Sequence, residues 1–427
     1  MFNKIKKSFG LLQPKKETTD RINTSKEKIA ISEDLETNLN NLKNNLAQSV
    51  DLNLKNILLG GNQNYKATVT YLVSIINQQY LQREILKPLM LNIKFTSPAD
   101  TKENIKKLVQ QLPLPVGQTS FINSINEAIA EILEGKVVLF INNFDQAFVL
   151  DIKEPASRSV ATPQIESATR GPQEAFTENL EVNISLIRKR LRDNNFMIEV
   201  HKIGARTKTD LGVCYINDLA DEEILAQLNN RINNIDLDGV IDTGYIDQYF
   251  QDNWKTPFPI FQNTERPDKA IHNLLEGKIL LVLDGTPFVS IVPTTFIQFF
   301  QTPEDYYDIF YVGSAIRILR LFATFITISL PSLYISLVSF HHELLPPDLA
   351  LTIATTRQEV PFPSYLEAVI MEVSLELLRE SGIRLPGAIG QTIGIVGGLV
   401  LGEAAVNAGL VSPPMVIVVA ITAISSF

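Results

Sequence analysis

This sequence has little cysteine and no excess of positive charge. Cys214 is the single cysteine among 427 residues, which excludes an internal disulfide framework and a zinc site built from several cysteines. The net charge of −9 and the isoelectric point near 5.2 leave no general excess of cations. Because binding to phosphates needs a basic surface, nucleic acid is excluded as a general partner.

An apolar leader is also absent from the N-terminus. The chain begins MFNKIKKSFGLLQPKKETTD, which contains no continuous apolar run of about 7–15 residues and so does not form a secretory signal. We therefore expect the soluble part of the chain to stay in the cytoplasm. Residues 1–50 are rich in Lys, Asn, Glu and Thr, and this composition predicts a partly disordered lead-in.

Several enzyme motifs are missing from the soluble part. It contains no Walker A sequence, no GxGxxG after a strand, no HExxH and no GxSxG elbow. We therefore predict no catalytic residue, no cofactor and no metal. A membrane-anchored enzyme or ligand-binding regulator is the weaker alternative. The adjacent His341 and His342 do not project to the same side of a helix, so they favour an interfacial turn over a metal site.

Long apolar runs are present, but only in the last third of the chain. The segment 318–340 contains no acidic or basic side chain after Arg320 and is long enough to cross a bilayer. Arg317 and Arg320 at its start favour a cytoplasmic N-terminal side. A second span is predicted over 391–411. The apolar run from Pro413 is too short to span, so it is either re-entrant or followed by further helices in a longer protein.

The soluble half contains an internal repeat. AIAEILEGKVVLFI begins at Ala128, and the related AIHNLLEGKILLVL begins 142 residues later at Ala270. Upstream, VTYLV at Val69 resembles VCYIN at Val213, which indicates a duplicated domain rather than a solenoid. Phe148-Val149 aligns with Phe288-Val289 if the second copy has a loop two residues shorter.

Each copy is expected to be an α/β subdomain. Runs such as VVLFI and ILLVL are typical of strands that are buried on both faces. Asp284-Gly285 is a strong signal for a two-residue hairpin. We predict subdomains at 51–155 and 156–305 and a transmembrane helix bundle at 306–427.

The second subdomain includes a linking helix. Its apolar face consists of Leu180, Ile184, Ile187 and Leu191. Four cations lie at the C-terminal end of this helix: Arg188, Lys189, Arg190 and Arg192. They are interpreted as a solvated helix end, where positive charge complements the helix dipole, rather than as an anion or partner site.

An acidic stripe is predicted on the helix over 361–387. Glu372, Glu376 and Glu380 fall on one arc with Arg379 when residues advance by roughly 100°. Such a helix either lies at the membrane surface or turns its carboxylates toward water in an oligomer, which makes these three the candidate ion path. Glu367 falls on the opposite, apolar face and is expected to meet a partner group.

The second predicted span has a ridge of small residues. Glycines recur every four residues and would let another helix approach closely: Gly390, Gly394, Gly398 and Gly402. Glu403 and Asn407 lie roughly opposite this ridge. They are intramembrane polar groups, which are interpreted either as interhelical hydrogen-bonding partners or as part of an ion pathway.

Five segments together resemble the A subunits of bacterial spore germinant receptors, the GerA family. They are RGPQEAFTENLEVNISLIRKRL, TERPDKAIHNLLEGKILLVLDGTPFVSIVPTTF, DYYDIF, LPSLYISLVSFHHELLP and TRQEVPFPSYLEAVIMEVSLELLRESGIRLPGAIGQTIGIVGGLVLGEAAVNAGLVSPPMVIVVAITAI. The resemblance extends from about residue 50 to the last residue. Many family members have Gln at the position of Glu403, which favours interhelical hydrogen bonding over ion chemistry there.

The resemblance implies a function and a set of partners. It implies a multi-pass protein of the spore inner membrane with a cytoplasmic N-terminal part. It also implies a complex with a transporter-like B subunit that binds the nutrient and a lipoprotein C subunit. The A subunit is expected to form a homo-oligomer and a cation-conducting path that nutrient binding opens. The alternative is a scaffold subunit that does not conduct.

Overall fold

A computed structural model describes residues 28–46, 49–61, 65–91, 93, 119–152, 162–166, 168, 170–251, 255–256, 258–384 and 387–426. Of these, residues 387–389, 391–393 and 395–396 are described by their backbone alone. The chain forms two compact units, Met1–Phe296 and Ile297–Phe427.

Two five-stranded sheets form the first unit. The strands of the first sheet are β1 Leu52–Leu58, β2 Lys66–Leu72, β3 Thr119–Ile122, β4 Val137–Ile141 and β5 Ala147–Leu150. Those of the second are β6 Phe196–Ile203, β7 Thr209–Ile216, β8 Gln262–Thr264, β9 Ile279–Leu283 and β10 Val289–Val292. The spatial orders are β1-β2-β4-β5-β3 and β6-β7-β9-β10-β8, so the two sheets have the same topology.

The strand register confirms the internal repeat. Val69 pairs with Leu139 in the first sheet, and Val213 pairs with Leu281 in the second. These are the residues that the two sequence matches place in correspondence. All of the described pairings are antiparallel, so the subdomains contain sheets and helices as predicted but not the parallel pairing that is typical of α/β folds.

The predicted difference in loop length is wrong. Leu139 pairs with Phe148, and Leu281 pairs with Ser290, so both hairpins have connections of equal length. The connection between β9 and β10 comprises residues 284–288 and is not a two-residue turn. Asp284 and Gly285 are used differently, because they dock the linking helix. The Asp284 Oδ1 atom accepts from the Leu180 amide at 3.0 Å, and the Gly285 amide donates to the Glu178 carbonyl at 2.7 Å.

Helices cover both faces of each sheet. On the first sheet they are α1 Leu35–Asn45 and α2 Ile125–Leu133 on one face, and the helical segment formed by Gln78–Tyr80, Leu81–Leu86 and Lys87–Leu91 on the other. On the second sheet they are α3 Leu180–Arg190 and α6 Pro267–Leu275 on one face, and α4 Glu222–Asn233 and α5 Thr243–Tyr249 on the other. This burial on two sides explains why β4 and β9 are apolar at every position.

The lead-in predicted over residues 1–50 includes an ordered part. Asp34 caps α1 by accepting from the Thr37 amide at 3.0 Å. Leu42 and Leu46 are buried in the core of the first sheet, and the Ile31 amide donates to the Asn123 carbonyl at 3.0 Å. Part of the polar N-terminal region therefore belongs to the first subdomain.

The second unit is helical. Its helices are α7 Glu304–Tyr307, α8 Phe310–Ser339, α9 Pro347–Arg357, α10 Ser364–Arg384, α11 Gly387–Asn407 and α12 Pro413–Ser425. Their shared core contains Ala368, Met371, Ala405, Met415 and Val419. Among the residues described here, α8 is the one helix that is long and apolar enough to cross a membrane. A crossing by α11 and a full bundle stay predictions.

Candidate functional site

The acidic stripe lies on the outside of α10 in this chain. Glu372, Glu376 and Glu380 are all exposed. Arg379 is 3.3 Å from Glu376, and Arg384 pairs with Glu380 at 2.6 Å. Because these pairs are open to solvent, each contributes little to stability. The structure therefore places the three carboxylates together on one surface, as the helical spacing predicts, without assigning them a ligand.

The glycine ridge is mostly without neighbours within the described part of the chain. A Cβ atom added at Gly394 or Gly398 would meet nothing within 4 Å. At Gly402 it would lie 3.6 Å from a methyl group of Val416 in α12, which is ordinary contact. The close approach falls instead at Gly397, where the added atom would lie 2.8 Å from a methyl group of Leu378 in α10. The packing role of the ridge stays a prediction at its middle positions.

Glu403 and Asn407 are both exposed on α11. Neither side chain forms a hydrogen bond or an ion pair with the residues described here. The structure thus does not bring them together with the acidic stripe, and interhelical hydrogen bonding at Glu403 stays a prediction.

Glu367 is the buried carboxylate of the helical unit. It is fully buried in the first turn of α10, and its Oε1 atom lies 3.1 Å from Nη2 of Arg357 at the end of α9. Its Oε2 atom accepts from the Ser412 amide at 2.9 Å and from the Ser412 hydroxyl at 2.8 Å. The apolar-face position of Glu367 predicted a partner group. The identity of Arg357 and Ser412 could not be predicted, because neither belongs to the same helix.

Ser412 stands at the N-cap of α12 but does not cap that helix. Serine at this position usually accepts from an amide of the first helical turn. Here Pro413 and Pro414 have no amide hydrogen, and the Met415 amide donates to the Ser412 carbonyl at 3.0 Å. Ser412 therefore forms no side-chain cap, and its hydroxyl donates to Glu367. The carboxylate of Glu367 lies beside the N-terminus of α12, where the helix dipole favours a negative charge.

Arg317 and Arg320 at the start of α8 meet a carboxylate from the segment before it. Nε of Arg317 donates to Asp305 at 3.0 Å, and Nη1 of Arg320 donates to the same carboxylate at 3.2 Å. Burial alone would raise the pKa of Asp305, but hydrogen bonds from Arg320, the Thr302 amide and Arg317 hold that pKa below its usual range. The arginines that the sequence assigns to the edge of the span are therefore partly neutralised by Asp305.

In the first unit, the interpretation of the basic cluster as a solvated helix end is wrong for Arg188. Its side chain is only 2% exposed, and it forms a bidentate pair with Asp51, with Nε to Oδ2 at 3.0 Å and Nη2 to Oδ1 at 3.1 Å. The guanidinium group also donates to the Phe196 carbonyl at 3.0 Å and lies 4.6 Å from the centre of the Phe196 ring.

Asp51 comes just before β1, so the Arg188–Asp51 pair joins the two subdomains. A signal for its burial was present in the sequence. Arg188 follows Ile184 by four residues and therefore shares the apolar face of α3. Another contact crosses between the same subdomains, because the Val50 amide donates to the Ile198 carbonyl at 3.3 Å.

No metal centre is defined in the described part of the chain, where no group of three or more His, Cys, Asp or Glu side chains could hold an ion. His341 precedes the short helical turn His342–Leu344.

Duplicated sheets followed by a helical unit that contains a membrane-capable helix suggest a class of two-part proteins that associate with a membrane. The comparisons with known proteins give the family. The model of the Bacillus/Clostridium GerA spore germination protein family matches residues 40–427, and the chain belongs to this family.

Relatives found by sequence similarity agree with this assignment. The chain is 37% identical over 399 residues to spore germination protein KA of Bacillus subtilis, covering 93% of this chain and 72% of that protein. It is 41% identical over 327 residues to spore germination protein A1 of the same organism, covering 77% and 67%. It is also 37% identical over 425 residues to the uncharacterised membrane protein YfkQ, covering 100% and 80%.

One solved structure resembles the sheet-containing half. It is the crystal structure of the N-terminal domain of the A subunit of the Bacillus megaterium spore germinant receptor GerK3. The TM-score is 0.50 at 29% sequence identity, and the match covers 64% of this chain and 99% of that one.

Proposed function

We propose that this chain is the membrane subunit of a nutrient germinant receptor that triggers spore germination. The match of residues 40–427 to the GerA family model carries the proposal. In this role the chain is a multi-pass protein of the spore inner membrane with its sheet-containing half in the cytoplasm. Its partners are a transporter-like B subunit that binds the nutrient and a lipoprotein C subunit.

The mechanism proposed for this subunit is ion conduction by a homo-oligomer. Supporting it, α10 exposes Glu372, Glu376 and Glu380 along one side of a helix in the unit that contains the membrane-capable helix. Acidic groups near a membrane need water or a partner around them. Several copies of α10 around one axis would enclose a water-filled path, and their carboxylates would form a lining that attracts cations. Nutrient binding to the partner subunit would open this path.

A scaffold that does not conduct is the second candidate. The ion pairs of Arg379 with Glu376 and Arg384 with Glu380 favour it, because carboxylates that already face cations of their own helix resemble an ordinary solvated surface. In this case the ion path belongs to another subunit.

The two candidates differ in their response to Glu376→Gln. If α10 lines the path, spores that carry this variant should release monovalent cations several-fold more slowly after nutrient addition, because one carboxylate per copy is lost. The amount of receptor in the membrane should not change, since Glu376 is exposed.

Glu359→Gln is the matched control, because Glu359 is exposed in the same unit but lies between α9 and α10. Equal release rates in Glu376→Gln, Glu359→Gln and unmodified spores would favour the scaffold. Normal nutrient-triggered germination of spores that lack the chain and its paralogues would contradict a role in germination altogether.

A further inference from the structure

Two of the ion pairs in which the carboxylate is buried, Arg188–Asp51 and Arg357–Glu367, have different geometry. In the Arg188–Asp51 pair both carboxylate oxygens accept from the same guanidinium group. In the Arg357–Glu367 pair the Oε1 atom of Glu367 is close to Arg357 but forms no aligned hydrogen bond with any described residue, and Nε of Arg357 is likewise unpaired. An incompletely satisfied buried carboxylate costs free energy, so the second pair is held less tightly than the first.

The second pair joins separate elements of the helical unit. Arg357 ends α9, Glu367 begins α10 and Ser412 precedes α12. We call this set of three residues the latch. Tyr334 of α8 packs beside it, and the neighbouring apolar residues Ala368, Val411 and Met415 are buried. Glu367 is buried and the Arg357 side chain is 21% exposed, so the carboxylate depends strongly on this partner for charge compensation.

A backbone contact reinforces the same junction. Gly409, in the turn between α11 and α12, has φ of +64°, and a Cβ atom added there would lie 3.1 Å from the carbonyl oxygen of Glu359. The turn 408–412 thus lies against the loop between α9 and α10. The middle of α11 differs, because Gly394 and Gly398 have open space beside them in this chain. Helix α11 approaches α10 at Gly397 and also at Gly390, where a Cβ atom added at Gly382 would lie 3.6 Å from the Gly390 carbonyl oxygen.

We propose that the latch is a two-state device that fixes the turn 408–412 to the start of α10, and that its opening is the movement that regulates the acidic path. When it opens, Arg357 and Glu367 both gain water, so the separated charges are solvated rather than left unpaired in an apolar core. The helix α10 is then free to rotate or shift, which changes where Glu372, Glu376 and Glu380 point. The regulatory part rests on the proposed function, whereas the existence of the latch does not.

Coupling between the two charges can be measured by hydrogen exchange. In the full chain in detergent, Arg357→Gln and Glu367→Gln should each raise the exchange rate of backbone amides in residues 408–416 at least about tenfold, because the first leaves the buried Glu367 carboxylate unpaired and the second leaves Arg357 without its counter-charge. The double variant should return to within about threefold of the unmodified chain, since no unpaired charge remains. Glu343→Gln is the control, because Glu343 is exposed in the short helical turn before α9, and it should leave these rates unchanged.

Two results would overturn the latch. One is exchange in both single variants within about twofold of the unmodified chain, and the other is a double variant as fast as the product of the single effects. If a single variant fails to fold, Ser412→Ala and the double variant decide. Ser412→Ala keeps both charges and should accelerate exchange only about two- to fivefold, in keeping with the loss of one hydrogen bond.

The regulatory role has its own readout. Spores with Arg357→Gln or Glu367→Gln should release cations without nutrient, and spores with the double variant should not. Strong coupling in hydrogen exchange together with unchanged release in all three would overturn the regulation and leave the structural latch in place. Unchanged cation release in Glu376→Gln spores would instead overturn the proposed ion path. It would not change the interpretation of the hydrogen-exchange experiment.

Discussion

Arg188 and Asp51 form a buried ion pair that joins the two sheet subdomains. Removing one member of a buried ion pair leaves the other charge unpaired and is strongly destabilising. The guanidinium group also lies over the Phe196 ring, so a methionine there would keep an apolar side chain but lose both the charge and this contact.

Arg188→Met should therefore lower the free energy of unfolding of the first unit by about 3–5 kcal/mol. Denaturant unfolding of the full chain in detergent, followed by exchange of the β1 and β6 amides, measures the loss. Lys202→Met is the matched control, because Lys202 pairs with Asp210 at 2.7 Å while 69% exposed, and it should cost no more than about 1 kcal/mol. Equal losses in the two variants would contradict the structural role assigned to Arg188.

The same pair predicts a dependence of stability on pH. Burial alone would raise the pKa of Asp51, but the charge and hydrogen bonds of Arg188 hold that pKa below its ordinary value. A carboxyl group with a lowered pKa in the folded state stabilises the fold above its unfolded pKa of about 3.9 and loses that contribution as the pH falls through the folded pKa.

The free energy of unfolding should thus decline below about pH 4, and Asp51→Asn should make that decline shallower. Unfolding titrations between about pH 7 and pH 3 test this. Asp238→Asn serves as the control, since Asp238 pairs with Arg206 while 84% exposed and should leave the slope unchanged. An identical slope in Asp51→Asn and the unmodified chain would show that Asp51 does not contribute.

At the scale of single elements, the two copies place glycine at the same point after a helix. Gly135 and Gly277 have φ of +86° and +85°, and each ends the helix before a central strand. A Cβ atom at Gly277 would come within 2.5 Å of the Leu219 carbonyl oxygen, which is backbone and cannot move aside. Gly285 has a similar φ of +96° but nothing within 4 Å.

Substitutions at Gly285 and Gly277 can separate the cost of backbone strain from the cost of a steric clash. Gly285→Ala should cost about 1–2 kcal/mol for the left-handed conformation alone. Gly277→Ala should cost more, because it adds the clash with Leu219. Parallel measurements of the unfolding midpoint test this order, and a larger shift in Gly285→Ala would contradict it.

The elements show which parts of the fold the sequence could predict. The repeat and the apolar runs depend on local periodicity, and both led to the correct strands and to the same pairing of Val69 with Leu139 and of Val213 with Leu281. The hairpin at Asp284-Gly285 was mispredicted because its turn signal is local, whereas its actual role is a contact with Leu180 more than a hundred residues away in sequence.

Less of the candidate site could be predicted from the sequence, because its contacts also join residues that are far apart in the chain. Helical spacing places Glu372, Glu376 and Glu380 on one surface and Glu367 on another, and the structure agrees. The partner of Glu367 on α12 is 45 residues away, and no periodicity reports such a contact. Whether Gly394, Gly398, Glu403 and Asn407 meet other helices depends on surfaces beyond a single chain.

For the whole molecule, the division at Phe296 and Ile297 predicts different behaviour for the two units. Each sheet has helices on both faces, and a crystal structure exists for the N-terminal domain of a related A subunit. The membrane-capable helix α8 and the exposed apolar side chains that flank it lie in the second unit.

A chain that ends at Phe296 should therefore remain in the soluble fraction after cell lysis, and the full chain should sediment with membranes and need detergent for extraction. Fractionation followed by immunoblotting measures both. Arg188→Met in the short chain is a useful control, because it should lower solubility through unfolding without adding any affinity for membranes. Recovery of the folded short chain in washed membranes would contradict the assignment of membrane binding to the second unit.

The hydrogen bonds between Glu367 and Ser412 also determine when the junction between α9 and α10 is completed during synthesis of the chain. Arg357 and Glu367 leave the ribosome close together and can find each other early, whereas Ser412 follows 45 residues after Glu367. Until it arrives, the Oε2 atom of Glu367 lacks the two donors that it has in the finished protein. The junction between α9 and α10 is therefore completed only after α11 has been made, so a nascent chain that stalls within α11 carries an unfinished junction and exposes it to quality control.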